Sequence, residues 1–357
     1  MSVPSRTPRP LRSPSDDQGK EISFDNCIIA TGSIVKTLPG IELSDNVVSY
    51  EEQILNPEAP KKMVIVGAGA IGMEFAYVLS NYGVDVTVVE FMDRVLPNED
   101  KDVSKEIAKA YKKLGVKLLT GHATTEVRDN GDSVEVDIKK KDSDDVETLT
   151  VDRVMVAVGF QPRVEGFGLD NTGVKLTERG AIEVDERMRT NVEGIYAIGD
   201  VTAKLQLAHV AEAQGIVAAE TIAGAETMEL GDYQMMPRAT FCNPQVASMG
   251  YTEEQAKEKF SDKDIKVATF PFSANGKALG LAESQGFGKL VVDGEYGEII
   301  GCHLVGANVS ELLPEINLAQ RFDLTAGEIA RNVHIHPTLS EVLKEIAHGV
   351  EGHMINL

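Results

Sequence analysis

Apolar and polar positions along the chain first resolve a strand, a tight turn, a helix and a second strand. Met63-Val64-Ile65-Val66 is an uninterrupted apolar run of strand length that enters the glycine cluster Gly67-Ala68-Gly69-Ala70-Ile71-Gly72. Beyond the cluster, Ile71, Phe75, Val78, Leu79 and Tyr82 recur at helical spacing, which predicts a helix with those five on its buried face. Gly83 ends the helix and Val84 to Val89 reads as the next strand.

Two further apolar runs resemble each other. Asp25 to Gly32 and Asp152 to Gly159 each start at an acid and carry an alanine two residues before a closing glycine. They are either two ordinary buried strands or the closing strands of two sister domains. On the second reading, the later copy ends a domain whose glycine loop opens at Gly67. The earlier copy then needs a glycine loop far upstream, yet only 31 residues precede Gly32. The chain is therefore expected to start inside a domain, close to its last strand. A strand at Cys27 to Ala30 would lack its neighbours in a parallel sheet, which leaves edges and apolar side chains uncovered.

Thr190 to Ile198 is another strand pattern, closing on Gly199-Asp200. Asp200 is either part of a common Gly-Asp turn or an acceptor for a polyol such as the ribitol of a flavin. Leu207 to Ile222 is alanine-rich and helical, with His209 near its start. That helix could aim its N-terminal amides at a flavin ring, while His209 alone reads as structural. From about Gly231 the pattern changes to short strands, turns and two helical stretches, one opened by the capping box Thr252-Glu253-Glu254-Gln255. This region fits an α+β module that could bury a face against another subunit.

The last motif is His334-Ile335-His336-Pro337-Thr338-Leu339-Ser340-Glu341, followed by an apolar stripe of Leu339, Val342, Leu343, Ile346 and Ala347. In the bland reading Thr338 and Glu341 form a capping box and the histidines sit in a turn. In the functional reading His336 is an acid/base whose ring Glu341 orients. A metal held by His334 and His336 is a third reading, but no ligand set at fixed spacing completes it, so no metal is expected.

Composition narrows the classes. A chain of 357 residues is expected to form two or three domains. Its net charge of -21 argues against a nucleic-acid partner, and no apolar stretch reaches membrane-spanning length. Met1 to Gln18, rich in Pro, Ser and Arg, is expected to be disordered rather than a secretory signal. The three cysteines, Cys27, Cys242 and Cys302, form no Cys-x-x-Cys or Cys-x4-Cys pair, so neither a local redox dithiol nor a zinc knuckle is legible. All three are expected to be buried thiols of a cytoplasmic protein.

The chemistry sits in the glycine cluster. A strand–glycine–helix–strand unit of this kind binds dinucleotides: Gly67 permits the tight turn, Gly69 lets the backbone approach a pyrophosphate, and Gly72 lets helix and strand pack closely. Helix N-terminal amides then face the phosphates. Glu90, at the end of the second strand, can accept both ribose hydroxyls and repels a 2′-phosphate, which favours NAD over NADP.

Taken together, the chain from about Lys20 to Leu357 resembles the dihydrolipoamide (dihydrolipoyl) dehydrogenase family of class I pyridine nucleotide-disulfide oxidoreductases. The matching signatures are Ala30-Thr31-Gly32-Ser33, Gly67 to Glu74 with Glu90, Val158-Gly159, Tyr196 to Asp200, Leu207-Ala208-His209, the Pro237/Phe241/Pro244/Ala247/Gly250 set, and His334 to Glu341. The resemblance implies an α/β fold: Rossmann-like FAD/NAD(P)-binding domains plus a C-terminal α+β dimerisation domain. It implies an unmatched segment at 1–18, a remnant of the FAD-binding domain at 19–45, and an NAD-binding domain at 46–165. A second part of the FAD-binding domain at 166–232 and an interface domain at 233–357 complete it.

By the same resemblance the cofactors are FAD and NAD. Ala30, Thr31 and Gly32 would lie near the FAD adenosine, Asp200 at the ribitol, and Leu207, Ala208 and His209 near the isoalloxazine. Gly67, Gly69, Ala70, Ile71 and Gly72 would hold the NAD pyrophosphate and Glu90 its ribose. Glu74 would approach the nicotinamide, and Gly159 also belongs to the cofactor-binding set. His336, oriented by Glu341, would serve the cysteine–dithiol exchange of a partner subunit. The implied partners are a second copy of the chain and a lipoyl-bearing protein of a 2-oxoacid dehydrogenase complex. Glutathione reductase-like enzymes place cations where this chain has Glu90, and mercuric reductase-like enzymes lack the His-x-His-Pro-Thr motif.

Relative to that family, this sequence has neither the first phosphate loop nor the Cys-x4-Cys dithiol. Two expectations follow. Either the working gene product is longer and this chain is an N-terminally truncated version, or the chain exists as such and binds NAD without dithiol activity.

Overall fold

The computed structural model describes residues 9–12 and 21–357; most of the 1–18 segment, expected to be unmatched and disordered, lies outside them. The chain divides into two compact units, each assembled from two separated stretches: 1–36 with 159–233, and 37–158 with 234–357.

In the first unit, Cys27–Ile29 pairs in parallel with Ile195–Ala197, matching Cys27 to Ile195 and Ile29 to Ala197. Ser33–Val35 pairs antiparallel with Phe160–Pro162, and Arg9–Arg12 with Glu21–Phe24. The alanine-rich stretch forms the helix Ala208–Ala223, with Leu207 as N-cap. Its buried side, Val210, Gln214, Val217 and Ala218, is mostly small; Val217 and Ala218 join a core with Ile29, Ile182, Met188 and Val201. Cys27 is half-buried rather than buried, and Ile28 beside it is exposed.

In the second unit, five parallel strands run in the order Val47–Val48, Arg153–Val156, Lys62–Val66, Asp85–Glu90 and Lys117–Thr120. Met63, Val64, Ile65 and Val88 are buried, as expected of a parallel sheet covered on both faces. An antiparallel sheet of His122–Asp129, Val134–Lys140 and Val146–Val151 lies between its fourth and fifth strands along the chain.

The predicted helix spans Ala70–Asn81, but its buried face differs from the expected one. Gly72, Met73, Ala76 and Leu79 are buried, whereas Val78 is 45% and Tyr82 77% exposed. Close approach of helix to sheet puts Gly72 and Ala76 at the contact, with Met73 and Leu79 filling the core beside them, and Val78 and Tyr82 fall outside.

The C-terminal part of this unit is a five-stranded antiparallel sheet, ordered Arg238–Thr240, Gln245–Gly250, Ile299–Gly306, Phe287–Asp293 and Ile265–Pro271. Five helices accompany it rather than two: Glu253–Lys259, Gly276–Gly280, Val309–Arg321, Ala326–Arg331 and Glu341–Val350. The Thr252 capping box forms as read, with Thr252 accepting from Gln255 N and Gln255 accepting from Thr252 N. Leu339, Val342, Leu343, Ile346 and Ala347 are all buried in one core.

A buried charge cluster ties this sheet to the parallel one. Lys289, 1% exposed, places Nζ 2.9 Å from Asp100 Oδ1, 2.8 Å from Asp102 Oδ2 and 2.7 Å from Glu253 Oε2. Asp100 is also the N-cap of the helix Lys101–Lys113, accepting from Asp102 N. Burial works against the ammonium, but the three carboxylates outweigh it and hold Lys289 above its ordinary range. Among the described residues no helix is long and apolar enough to cross a membrane.

Candidate functional site

The glycine turn is built by backbone sterics. Gly67 has φ +106, and a Cβ there would sit 2.4 Å from Ala157 O. A Cβ on Gly72 would sit 2.0 Å from Gly67 O, with Ile65 Cγ2 at 3.4 Å. Neither position tolerates a side chain while helix and turn keep this distance. Gly69 differs: a Cβ there meets nothing within 4 Å, so its missing side chain opens space outside the protein rather than inside it. Gly69 is the N-cap of the Ala70–Asn81 helix, with Ala70 exposed and Ile71 half-buried at its first turn. An open approach to helix N-terminal amides fits a dinucleotide pyrophosphate.

Glu90 is buried, and it braces this turn. Oε2 accepts from Ala68 N at 2.6 Å and Oε1 from Met92 N at 2.7 Å. Each oxygen keeps a second lone pair, so ribose hydroxyls and loop amides can share the carboxylate. Glu74, one turn into the helix, accepts from Phe241 N at 2.7 Å. Burial pushes its carboxyl above the usual range, against the pull of the Phe241 amide.

In the other unit Asp200 follows the strand Ile195–Ala197, inside the 3-10 turn Gly199–Thr202. Ser33 Oγ donates to Asp200 Oδ2 at 2.7 Å, which leaves Oδ1 unengaged among the described residues. Gly199 N donates to Gln214 Oε1 at 2.6 Å, and Gln214 Nε2 donates to Tyr233 Oη. A carboxylate oriented by a hydroxyl, on a turn fixed by a fully buried amide, fits a polyol such as a ribitol. Thr31 Oγ1 donates to Arg163 O, Lys36 N donates to Gly159 O, and Ala30 and Gly159 are exposed. Ala208 and His209 are exposed at the start of their helix, beside a half-buried Leu207. Sequence reasoning missed Gln214; the one signal was a lone amide on the buried side of an alanine helix.

In the C-terminal motif Glu341 serves two partners. Oε1 lies 2.9 Å from His336 Nδ1, and Oε2 accepts from Thr338 N at 2.9 Å. The full capping box does not form: Thr338 Oγ1 donates to Ile335 O, and Ser340 is the N-cap of Glu341–Val350. Burial opposes the Glu341 charge, but the Thr338 amide and His336 hold its carboxyl below the usual range. The His336 side chain is 78% exposed, so its ring faces outward. The His334 side chain, 3% exposed, is taken by Glu315 at 3.1 Å and by Asn332 O. The two histidines thus bind separate carboxylates.

The thiols are poorly disposed to react. Burial pushes Cys242 up to about 12 and raises Cys27 and Cys302 as well.

Comparison with known proteins places these features. Residues 7–215 match the model of the pyridine nucleotide-disulphide oxidoreductase family and residues 236–347 that of its dimerisation domain. The chain is 79% identical to the dihydrolipoyl dehydrogenase of Corynebacterium glutamicum over 340 residues, covering 95% of this chain and 72% of that protein. It is 61% identical to the dihydrolipoyl dehydrogenase of Mycobacterium tuberculosis over 342 residues, covering 96% and 73%. The HOCl-induced flavoprotein disulfide reductase RclA from Escherichia coli superposes with a TM-score of 0.85 at 28% identity, over 95% of this chain and 76% of that one. With two family models spanning most of its length and relatives this similar, the chain belongs to the pyridine nucleotide-disulphide oxidoreductase family.

Proposed function

We propose that the chain is of dihydrolipoyl dehydrogenase type and carries, within a homodimer, the NAD-binding and acid/base residues of a reaction that moves electrons from a protein-bound dihydrolipoyl group through FAD to NAD. The observation that carries this reading is the His336–Glu341 pair standing in the same unit as a braced glycine turn with an acid, Glu90, at its ribose end. A hydride-accepting NAD and an acid/base for thiol chemistry are the two ends of that reaction. Similarity to two dihydrolipoyl dehydrogenases supports the substrate class.

In the overall balance a dithiol is oxidised to a disulfide while NAD is reduced to NADH with release of a proton. A bound flavin would supply the two-electron relay between them. The chain's own residues bind, orient and move the proton. The amides at Gly69 to Ile71 hold the pyrophosphate, and Glu90 accepts from the ribose. Ser33 holds Asp200, which would accept from the ribitol of a bound FAD. Glu341 fixes Nδ1 of His336, which leaves Nε2 to take up or release the thiol proton of the exchange. The exchange itself needs two neighbouring sulfurs, and Cys27, Cys242 and Cys302 do not supply them.

The test is to titrate the purified 357-residue chain with NADH and NADPH by fluorescence, then to add NAD and dihydrolipoamide. Saturable NADH binding is expected, with NADPH weaker by about tenfold or more because Glu90 meets its 2′-phosphate. No dihydrolipoamide turnover is expected from this chain. Preference for NADPH would overturn the ribose assignment, and turnover would overturn the sulfur assignment.

A further inference from the structure

The helix Glu341–Val350 is followed by a turn that folds the last residues back over it. Gly352, at φ +95, reverses the chain, and His353 N donates to His348 O. Met354 then packs over Gly349, where a Cβ would sit 2.4 Å from Met354 Cε. Beyond it, the buried Glu345 carboxylate clamps the tail, accepting from Ile355 N at 2.8 Å, Asn356 N at 3.3 Å and Asn356 Nδ2 at 2.6 Å. The tail is thus pinned on both sides of its turn.

This turn brings together three metal-ligating side chains. His348, Glu351 and His353 each offer one ligand atom, and the three atoms lie within 4.8 Å of one another. The two imidazoles face each other with centroids 5.2 Å apart and planes at 53°. Among the described residues His348 Nδ1 is buried without a hydrogen-bond partner, so that nitrogen is committed to no other group of the protein. The carbonyl end of the helix adds negative potential at the same place.

We propose that His348, Glu351 and His353 bind a divalent transition-metal ion of the zinc class. Two imidazoles and a carboxylate are a donor set such ions take, with water completing a tetrahedron. The ligands lie just beyond residues 236–347, the stretch matched by the dimerisation-domain model. His348 and Glu351 are i,i+3 neighbours at the helix end, and the Gly352 turn brings His353 back to them, a closure that no spacing in the sequence shows.

The full chain, stripped with a chelator and dialysed, is titrated with zinc chloride by calorimetry and with cobalt chloride by visible absorption. One ion per chain is expected. Affinity should fall by about tenfold or more in both His353→Gln and Glu351→Gln, since even outer-shell changes cost that much. His122→Gln should bind as the parent does. Zinc should raise the melting temperature of the parent and of His122→Gln but not of the two ligand variants. No saturable binding by the parent, or unchanged affinity in either ligand variant, overturns the site.

Discussion

Gly72→Ala is expected to destroy NADH binding by dislodging the glycine turn, while Gly69→Ala destroys it with the fold intact. The two glycines lie three residues apart in one motif but face opposite environments. A methyl at Gly72 meets Gly67 O at 2.0 Å, a contact of backbone with backbone that no rotamer can relieve. Overpacking of this kind costs about 1–3 kcal/mol, which for a unit of this size is a fall of roughly 2–12 °C in melting temperature. A methyl at Gly69 meets no protein atom within 4 Å, so the melting temperature should stay within about 2 °C. It would instead occupy the path by which a pyrophosphate reaches the amides. Misplacing a ligand by about 1 Å is enough for a loss of about a hundredfold. Calorimetric melting and NADH titration of the two variants separate the roles. Equal melting temperatures, or parental NADH affinity in Gly69→Ala, would contradict them.

Lys289→Ala is expected to cost about 3–5 kcal/mol, the usual consequence of breaking a buried ion pair from one side. The lysine and Asp100 are both 1% exposed, and Asp102 and Glu253 lie within 3 Å of the same Nζ. Without the ammonium, three carboxylates are left together in and at the edge of a core. The pH dependence has a definite sign. Burial opposes the Asp100 charge but Lys289 and the Asp102 amide hold its carboxyl below the usual range, and Lys257 with Lys289 does the same for Glu253. Their contribution is therefore complete above the unfolded values near about pH 4 and is lost as pH falls through the depressed folded ones. Lys289 is held above its ordinary range, so its share is complete below about pH 10 and is lost only at higher pH, through the raised folded value. Urea unfolding of parent and variant should differ most near neutrality and converge in acid. A difference below about 1 kcal/mol at neutral pH would count against the cluster.

What was legible in the sequence was whatever a short window contains. The Met63–Gly72 turn, Glu90 at the next strand's end and the Thr252 box depend on neighbours a few residues away, and each formed. His336 and Glu341 were legible as a pair, though not that one carboxylate serves both the ring and the Thr338 amide. The Ala70–Asn81 helix was found with its inner face partly misread: Leu79 is buried as expected, but Val78 and Tyr82 are exposed. Hydrophobic periodicity weights large residues such as Val78 and Tyr82, whereas close packing on a sheet selects Gly72 and Ala76. Three of the five C-terminal helices have five to seven residues, too few for periodicity to separate from turn. Lys289 could not be foreseen as an internal cation, because none of its partners is a local neighbour: Glu253 lies well upstream and Asp100 lies 189 residues earlier. Gln214 was hidden for a related reason: its acceptor role depends on a turn fifteen residues away.

The division of each unit into two separated stretches bears on how the polypeptide reaches this state. The backbone passes between units near residues 36, 158 and 233, so no single proteolytic cut can release either one whole. On the ribosome, the stretch 37–158 emerges well before 234–357, the partner that covers part of its surface. Until that later stretch arrives, Asp100 has no ammonium beside it and half the unit must wait unfinished. Contacts between such distant parts slow folding, and the interval is when aggregation competes and chaperones have most to do.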